Sequence, residues 1–171
     1  AEFLALIKKA RPDFGVTWDA DGDRCFFATE KGEFVEAYYT NNLFADYLLK
    51  KHPGEKILYD ERYTWLIKET VEKAGGIPLV NKVGHAFIKD RMRKEDALFC
   101  GESSGHYFFR DNFYADNGMI PLLLISEILS VSGKKLSELY RPFIKKIYIS
   151  GEWNAEVLDG KKKMAQIEKK Y

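Results

Sequence analysis

Apolar residues along the chain switch between two spacings, and the switches mark out its elements. Phe14 to Trp18 and Cys25 to Thr29 are short, aromatic-rich runs of strand type, joined by an acidic turn. Asn41 to Lys51 places apolar residues at Leu43, Phe44, Tyr47 and Leu48, the spacing of one helix face. Lys56 to Tyr59 predicts a strand, Tyr63 to Ala74 a helix stopped by Gly75-Gly76, and Ile77 to Val80 another strand. A helix over His85 to Lys94 follows, then a strand over Ala97 to Cys100 and a turn into His106 to Phe109. Asp116 to Ser130 and Leu136 to Phe143 predict closing helices. Strands alternating with helices imply an α/β fold: a layered domain whose mixed β-sheet, parallel at least in part, is flanked by helices.

The ends carry pieces of other units. Phe3 to Ile7 reads as an apolar helix face, so residues 1–12 are expected to be an entry helix or the tail of a preceding domain. Ile147 to Ser150, then Gly151, marks a boundary after a main domain at 13–146. From Glu152 to Tyr171 the pattern is one strand and one helix, too little to fold alone. Residues 147–171 therefore read as a linker and the first elements of a following domain.

Composition narrows the class. With 46% hydrophobic and 31% charged residues the chain is globular in type. The longest apolar run, Met119 to Ile125, falls short of the ~20 residues a membrane helix needs. Basic and acidic residues nearly cancel, 27 against 26, which argues against a nucleic-acid partner. The two cysteines, Cys25 and Cys100, sit in apolar segments and read as free, buried thiols in a reducing cytoplasm.

The acidic turn carries the most chemistry. Asp19-Ala20-Asp21-Gly22-Asp23-Arg24 sets three carboxylates at alternate positions between two apolar strands. Like charges so close raise one another's pKa unless a cation sits among them. Hard oxygen donors favour Mg²⁺ or Ca²⁺. Arg24 cannot ligate a metal, but its planar fork suits a phosphate beside one. A calcium-loop reading would use Glu30 at the twelfth position, but Arg24 stands at the sixth, where the sharp turn needs glycine. Two further readings stay open on residues alone: Asp19 as a phosphoryl-accepting nucleophile, and a solvated acidic hairpin.

More motifs follow in order. They are Tyr59-Asp60-Glu61-Arg62-Tyr63-Thr64-Trp65, Lys82-Val83-Gly84-His85-Ala86-Phe87-Ile88-Lys89, Gly101-Glu102-Ser103-Ser104-Gly105-His106 and Asp116-Asn117-Gly118. Together with the acidic turn they resemble the α-D-phosphohexomutases (phosphomannomutase/phosphoglucomutase), over Phe3 to about Asn154. The likeness centres on that family's third domain. Two departures stand out: Ala20 where the family has glycine, and Ser103 where it has methionine.

The resemblance implies an isomerase that moves a phosphoryl group between O1 and O6 of a hexose through a phosphoserine and a bisphosphate intermediate. It implies Mg²⁺ held by Asp19, Asp21 and Asp23, with Arg24 on the transferring phosphoryl group. Glu102 and Ser104 are expected to hydrogen-bond adjacent sugar hydroxyls, and His85, at a helix start, to exchange protons or bind phosphate. Lys89, one turn on, His106 and Arg62 are expected to add positive charge around the substrate. The phosphoserine motif and a phosphate-clamping loop lie outside these residues, so the expected partners are hexose phosphates and further domains of the same protein. The chain alone is expected to be inactive. Two rivals are a non-catalytic metal and sugar-phosphate binding module and a phosphoglucosamine mutase.

Overall fold

The computed structural model describes residues 2–150 and 155–170. Helix α1 (Glu2–Ala10) leads into a small antiparallel sheet of β1 (Phe14–Trp18), β2 (Cys25–Thr29) and β3 (Phe34–Val35). Helix α2 (Ala37–Lys51) then enters the main layers. There β4 (Lys56–Asp60), α3 (Thr64–Lys73), β5 (Ile77–Asn81), α4 (His85–Glu95) and β6 (Phe99–Gly101) alternate. Short strands β7 (Tyr107–Phe109) and β8 (Ala115–Asp116) flank a 3₁₀ turn at Arg110–Asn112. Helices α5 (Met119–Ser132) and α6 (Leu136–Ile144) follow, and α7 (Gly160–Lys170) lies beyond.

The main sheet has the order β5-β4-β6-β7-β8. Strands β5, β4 and β6 run parallel, and the direction reverses at β6–β7 and again at β7–β8. Pro78 is tolerated because β5 is an edge strand, where a missing N–H breaks no inner ladder. The expected mixed, layered α/β architecture is what forms.

Alternation along the strands builds the layers. Ile57, Tyr59, Phe99, Tyr107 and Phe109 join one apolar cluster with Phe44 and Leu49 of α2, Leu66 and Ile67 of α3, and Ile125 and Tyr140 of the closing helices. Leu58, Cys100 and Phe108 point the other way, against Ile88 and Met92 of α4. Each fully buried aliphatic or aromatic side chain contributes about 1.5–3 kcal/mol, so the sheet is held from both faces. Cys25 and Cys100 are free and buried as expected, and burial pushes the Cys25 thiol up to about 12.

The differences from expectation have local causes. Helix α2 starts at Ala37, not Asn41, because residues 37–45 are buried on every side and leave no polar stripe to set a period. The closing helix starts at Met119, not Asp116. Asn117 Oδ1 accepts the amides of Met119 (2.8 Å) and Ile120 (2.9 Å), capping the helix there, while Asp116 belongs to β8. Strand β6 starts at Phe99, since the Ala97 amide donates to the Met92 carbonyl and still closes α4. Helices α3 and α4 match to within a residue at each end. Strands β3 and β8, with two residues each, were too short to carry a pattern. In the C-terminal stretch the expected helix is present as α7. Of the strand expected before it, Glu152 to Asn154 lie outside the described residues, and 155–159 form none.

Candidate functional site

The acidic turn closes the β1–β2 hairpin, with Trp18 paired to Cys25 at its base. Gly22 sits at φ +78°, which a glycine adopts without a Cβ penalty. Donor oxygens of Asp19, Asp21 and Asp23 come within 4.8 Å of one another. Three hard carboxylates so close on a tight turn fit Mg²⁺ by donor chemistry. Arg24 donates from its amide to Asp19 Oδ1 (3.2 Å) and from Nε to Asp19 Oδ2. Partial desolvation would raise the Asp19 acid, but the Arg24 bonds and charge outweigh it and hold the carboxyl below its usual range. Glu30 serves elsewhere: its carboxylate accepts from the amide and hydroxyl of Ser137 at the start of α6. That removes the twelfth-position ligand of the calcium-loop reading.

The turn is seated on two neighbours. Trp18 Nε1 donates to the Gly118 carbonyl at 2.7 Å. A Cβ on Gly118 would fall 2.2 Å from the Gly22 carbonyl oxygen, so the start of α5 lies directly under the turn. On the other side, Arg24 forms a β-bridge with His106, and the Cys25 amide donates to the Gly105 carbonyl at 3.0 Å. The 101–106 loop is thereby stitched to the acidic turn by backbone.

That loop begins at the C-terminal end of β6, beside the C-terminal end of β4, the usual place for ligands in parallel α/β sheets. Glu102 is only 3% exposed. His106 Nδ1 lies 2.9 Å from Ser104 Oγ and 3.3 Å from Glu102 Oε2, while Nε2 faces Asp23 Oδ1 at 3.6 Å. The Glu102 carboxylate can only accept, so it favours a proton on Nδ1. Burial disfavours charge on His106, but the Glu102 carboxylate, helped by Asp23 and Asp116, outweighs it and raises the ring's pKa above its ordinary 6.5.

Helix α4 supplies the next wall. Gly84, at φ +117°, turns the chain so that His85 opens the helix, and the Gly84 amide approaches Glu102 Oε1 at 3.4 Å. The His85 ring meets that of His106 edge-on at 4.5 Å. Asp116, from β8, lies 3.4 Å from His85 Nδ1 and 2.8 Å from Lys89 Nζ. Lys89 is thus ion-paired and only 30% exposed.

Arg62 lies at the C-terminal end of β4, but folded back. Its Nε donates to Asp60 Oδ1 and Oδ2, each at 2.9 Å, and its amide donates to Oδ1 at 2.9 Å. Asp60 is 6% exposed and also accepts the Ser103 hydroxyl at 2.9 Å. One buried carboxylate therefore fixes both Arg62 and the 101–106 loop. Desolvation opposes its charge, yet the Arg62 and Ser103 hydrogen bonds prevail and lower the Asp60 pKa. A lowered pKa contributes stability that is complete above the ordinary 3.8 and is lost as pH falls through the folded-state value. The Asp60→Asn variant is expected to lose about 1–3 kcal/mol near neutral pH. It should also show a shallower further loss below pH 3.8 than the parent, which urea melts at both pH values would detect.

All ten residues expected from sequence thus fall on one connected surface. Sequence reasoning assigned no role to Asp60, Asp116, Trp18 or Gly118. Asp60 and Asp116 stood inside motifs that were already recognised, and a carboxylate at the end of a parallel strand was the available signal. A hollow of about 860 Å³ lies elsewhere, lined in part by Lys8, Arg11, Glu30, Ser126 and Lys134.

Residues 37–147 match the profile of phosphoglucomutase/phosphomannomutase, alpha/beta/alpha domain III. The chain belongs to the phosphoglucomutase/phosphomannomutase family. The acidic turn precedes the matched span, but relatives align across it. A protein of Xanthomonas campestris pv. campestris (strain B100) named phosphohexose mutases is 48% identical over 165 residues, 96% of this chain and 37% of its own length. The phosphomannomutase of Escherichia coli (strain K12) is 45% identical over 167 residues, 98% of this chain and 36% of its own. Among solved structures, a phosphoglucomutase/phosphomannomutase family protein of Burkholderia thailandensis superposes with a TM-score of 0.75 at 33% identity, covering 81% of this chain and 30% of that one. The chain thus spans little more than a third of the length of these phosphomutase relatives. No helix among the described residues is long and apolar enough to cross a membrane.

Proposed function

We propose that this chain is the metal- and sugar-recognising part of a phosphohexomutase that interconverts hexose 1-phosphates and 6-phosphates, of mannose or glucose. The observation that carries the reading is the backbone tie between the acidic turn and the 101–106 loop, which holds three carboxylates beside the buried Glu102 and its partners His106 and Ser104. Phosphoryl transfer depends mostly on positioning and charge stabilisation, and this surface supplies both.

In this reading Asp19, Asp21 and Asp23 hold Mg²⁺, which when bound supplies positive charge against the transferring phosphoryl group. Arg24 pairs with Asp19 through Nε, and its Nη edge is the one a phosphoryl oxygen would meet. Glu102 accepts a hydrogen bond from one sugar hydroxyl and Ser104 bonds its neighbour, contacts that survive when the ring turns end for end. His85 and Lys89 bring donors to a phosphate at the mouth of α4, where free amides already favour anions. His106, held at Nδ1, presents Nε2 toward the acidic turn and can pass a proton there. Arg62 faces the second phosphate once it swings from Asp60. The serine that carries the phosphoryl group and the clamp for the distal phosphate come from other domains of the full protein, acting in the cytoplasm. Residues 13–146 form the working unit and 147–171 lead into the next domain.

Backbone NMR of this chain tests the reading. Mg²⁺ is expected to shift the amides of residues 19–24, and mannose 1-phosphate those of 84–85 and 101–106. Affinity for the sugar phosphate should be millimolar, about −4 kcal/mol, because only part of the substrate is enclosed. Shifts elsewhere, or none in these two patches at millimolar ligand, would overturn it.

A further inference from the structure

Beside the all-oxygen turn lies a cluster of different chemistry. His85, His106, Asp23 and Asp116 each present one donor atom, and the four come within 4.8 Å of one another. His106 Nε2 is 3.6 Å from Asp23 Oδ1, and His85 Nδ1 is 3.4 Å from Asp116 Oδ2. Donors placed tetrahedrally about 2.0–2.1 Å from a zinc ion stand about 3.3–3.4 Å apart. Those two spacings lie within a few tenths of an ångström of that value, and the remaining pairs lie within 4.8 Å. Two imidazoles and two carboxylates suit zinc or a similar borderline cation far better than Mg²⁺, which prefers oxygen and water.

The ligands are also braced from behind. The far nitrogen of His106, Nδ1, is held by the buried carboxylate of Glu102 and by Ser104 Oγ. A carboxylate on the far nitrogen is the arrangement that fixes the tautomer and aim of metal-binding imidazoles. Asp116 is likewise anchored through Oδ1 to Lys89, which turns Oδ2 toward His85.

We propose that His85, His106, Asp23 and Asp116 form a binding site for Zn²⁺ or a cation like it, sharing only Asp23 with the acidic turn. A metal there engages both histidines and half-blocks the face where a sugar phosphate would sit. The inhibition this implies rests on the mutase reading, whereas the binding does not.

The chain contains three histidines, so His52, at the end of α2, serves as an internal control. Zn²⁺ added to the chelator-treated chain without Mg²⁺ or sugar is expected to saturate at one equivalent. It should shift the ring ¹⁵N signals of His85 and His106 and leave those of His52 in place. Glu102→Gln is expected to weaken Zn²⁺ binding about 10- to 100-fold by loosening His106. His85→Gln should weaken it at least as much. Amide dispersion matching that of the parent chain reports that each variant is folded. Zn²⁺ shifts confined to the acidic turn or to His52 would overturn the proposal, as would unchanged affinity in both folded variants. Should a variant unfold, the ring signals of the parent chain decide alone. Because no sugar phosphate or turnover enters these readouts, their failure is distinct from failure of the mutase reading.

Discussion

If the full-length protein is the mutase proposed above, Glu102→Gln in it is expected to lower kcat/KM about 10- to 100-fold. Hydrogen bonds to a charged group contribute about 1.5–3 kcal/mol, and glutamine keeps the shape of the side chain while removing its charge. Glu102 is almost fully buried, so water cannot stand in for the lost acceptor. The same carboxylate outweighs the desolvation of His106 and keeps that ring's pKa raised. The variant should therefore also lower the His106 pKa, which ring NMR reads independently of turnover. The fold is expected to survive, because Asn41 Nδ2 holds the Glu102 carbonyl, and the His106 carbonyl holds its amide, by backbone contacts that glutamine retains. Steady-state kinetics with mannose and glucose phosphates would check the effect, and kcat/KM equal to the parent's would remove Glu102 from the sugar contacts.

A second large effect is expected from a residue that touches no substrate. In Gly118→Ala the new methyl group would lie 2.2 Å from the Gly22 carbonyl oxygen and 2.8 Å from the Trp18 ring. The first neighbour is backbone and cannot rotate away, so the acidic turn must move. Overpacking of this kind costs about 1–3 kcal/mol. A displacement near 1 Å at a site of charge stabilisation costs about 100-fold in rate. We expect weaker Mg²⁺ binding, an overall turnover loss near that factor, and little change in the amides of 101–104. Metal titration followed by NMR would check this, and an unshifted acidic turn in the variant would refute the steric argument.

Much of this was legible before any coordinates. The alternation of strand-like and helix-like spacing predicted the parallel core because β4, β5 and β6 are each bounded by clear breaks and joined by amphipathic helices. Where burial is total the pattern fails, as at the start of α2, since a segment with no solvent face has no period to read. The candidate site residues were legible as motifs, but their partners were not. Asp60 and Ser103 meet across 43 positions, and Trp18 and Gly118 across 100, separations that no local spacing encodes. The departure at position 103 gains a physical reading: serine there donates to the carboxylate that also anchors Arg62. The folded-back pose of Arg62 was likewise beyond reach, because a nearby acid in sequence can be a partner or a bystander until the backbone is drawn.

Under the proposed function, the bridge between Arg24 and His106 bears on attempts to change hexose preference. A randomised library over residues 101–106 varies what is also the outer rail of the hairpin carrying the aspartates. The hydroxyls of positions 103 and 104 tie back to Asp60 and His106, so varying either also frees a neighbour. Position 105 sits at φ +92° against the Phe26 ring and lends its carbonyl to Cys25. Under the proposed function, any other residue there would move the acidic turn along with the sugar loop, and a screen scoring turnover alone would misread lost metal as altered selectivity.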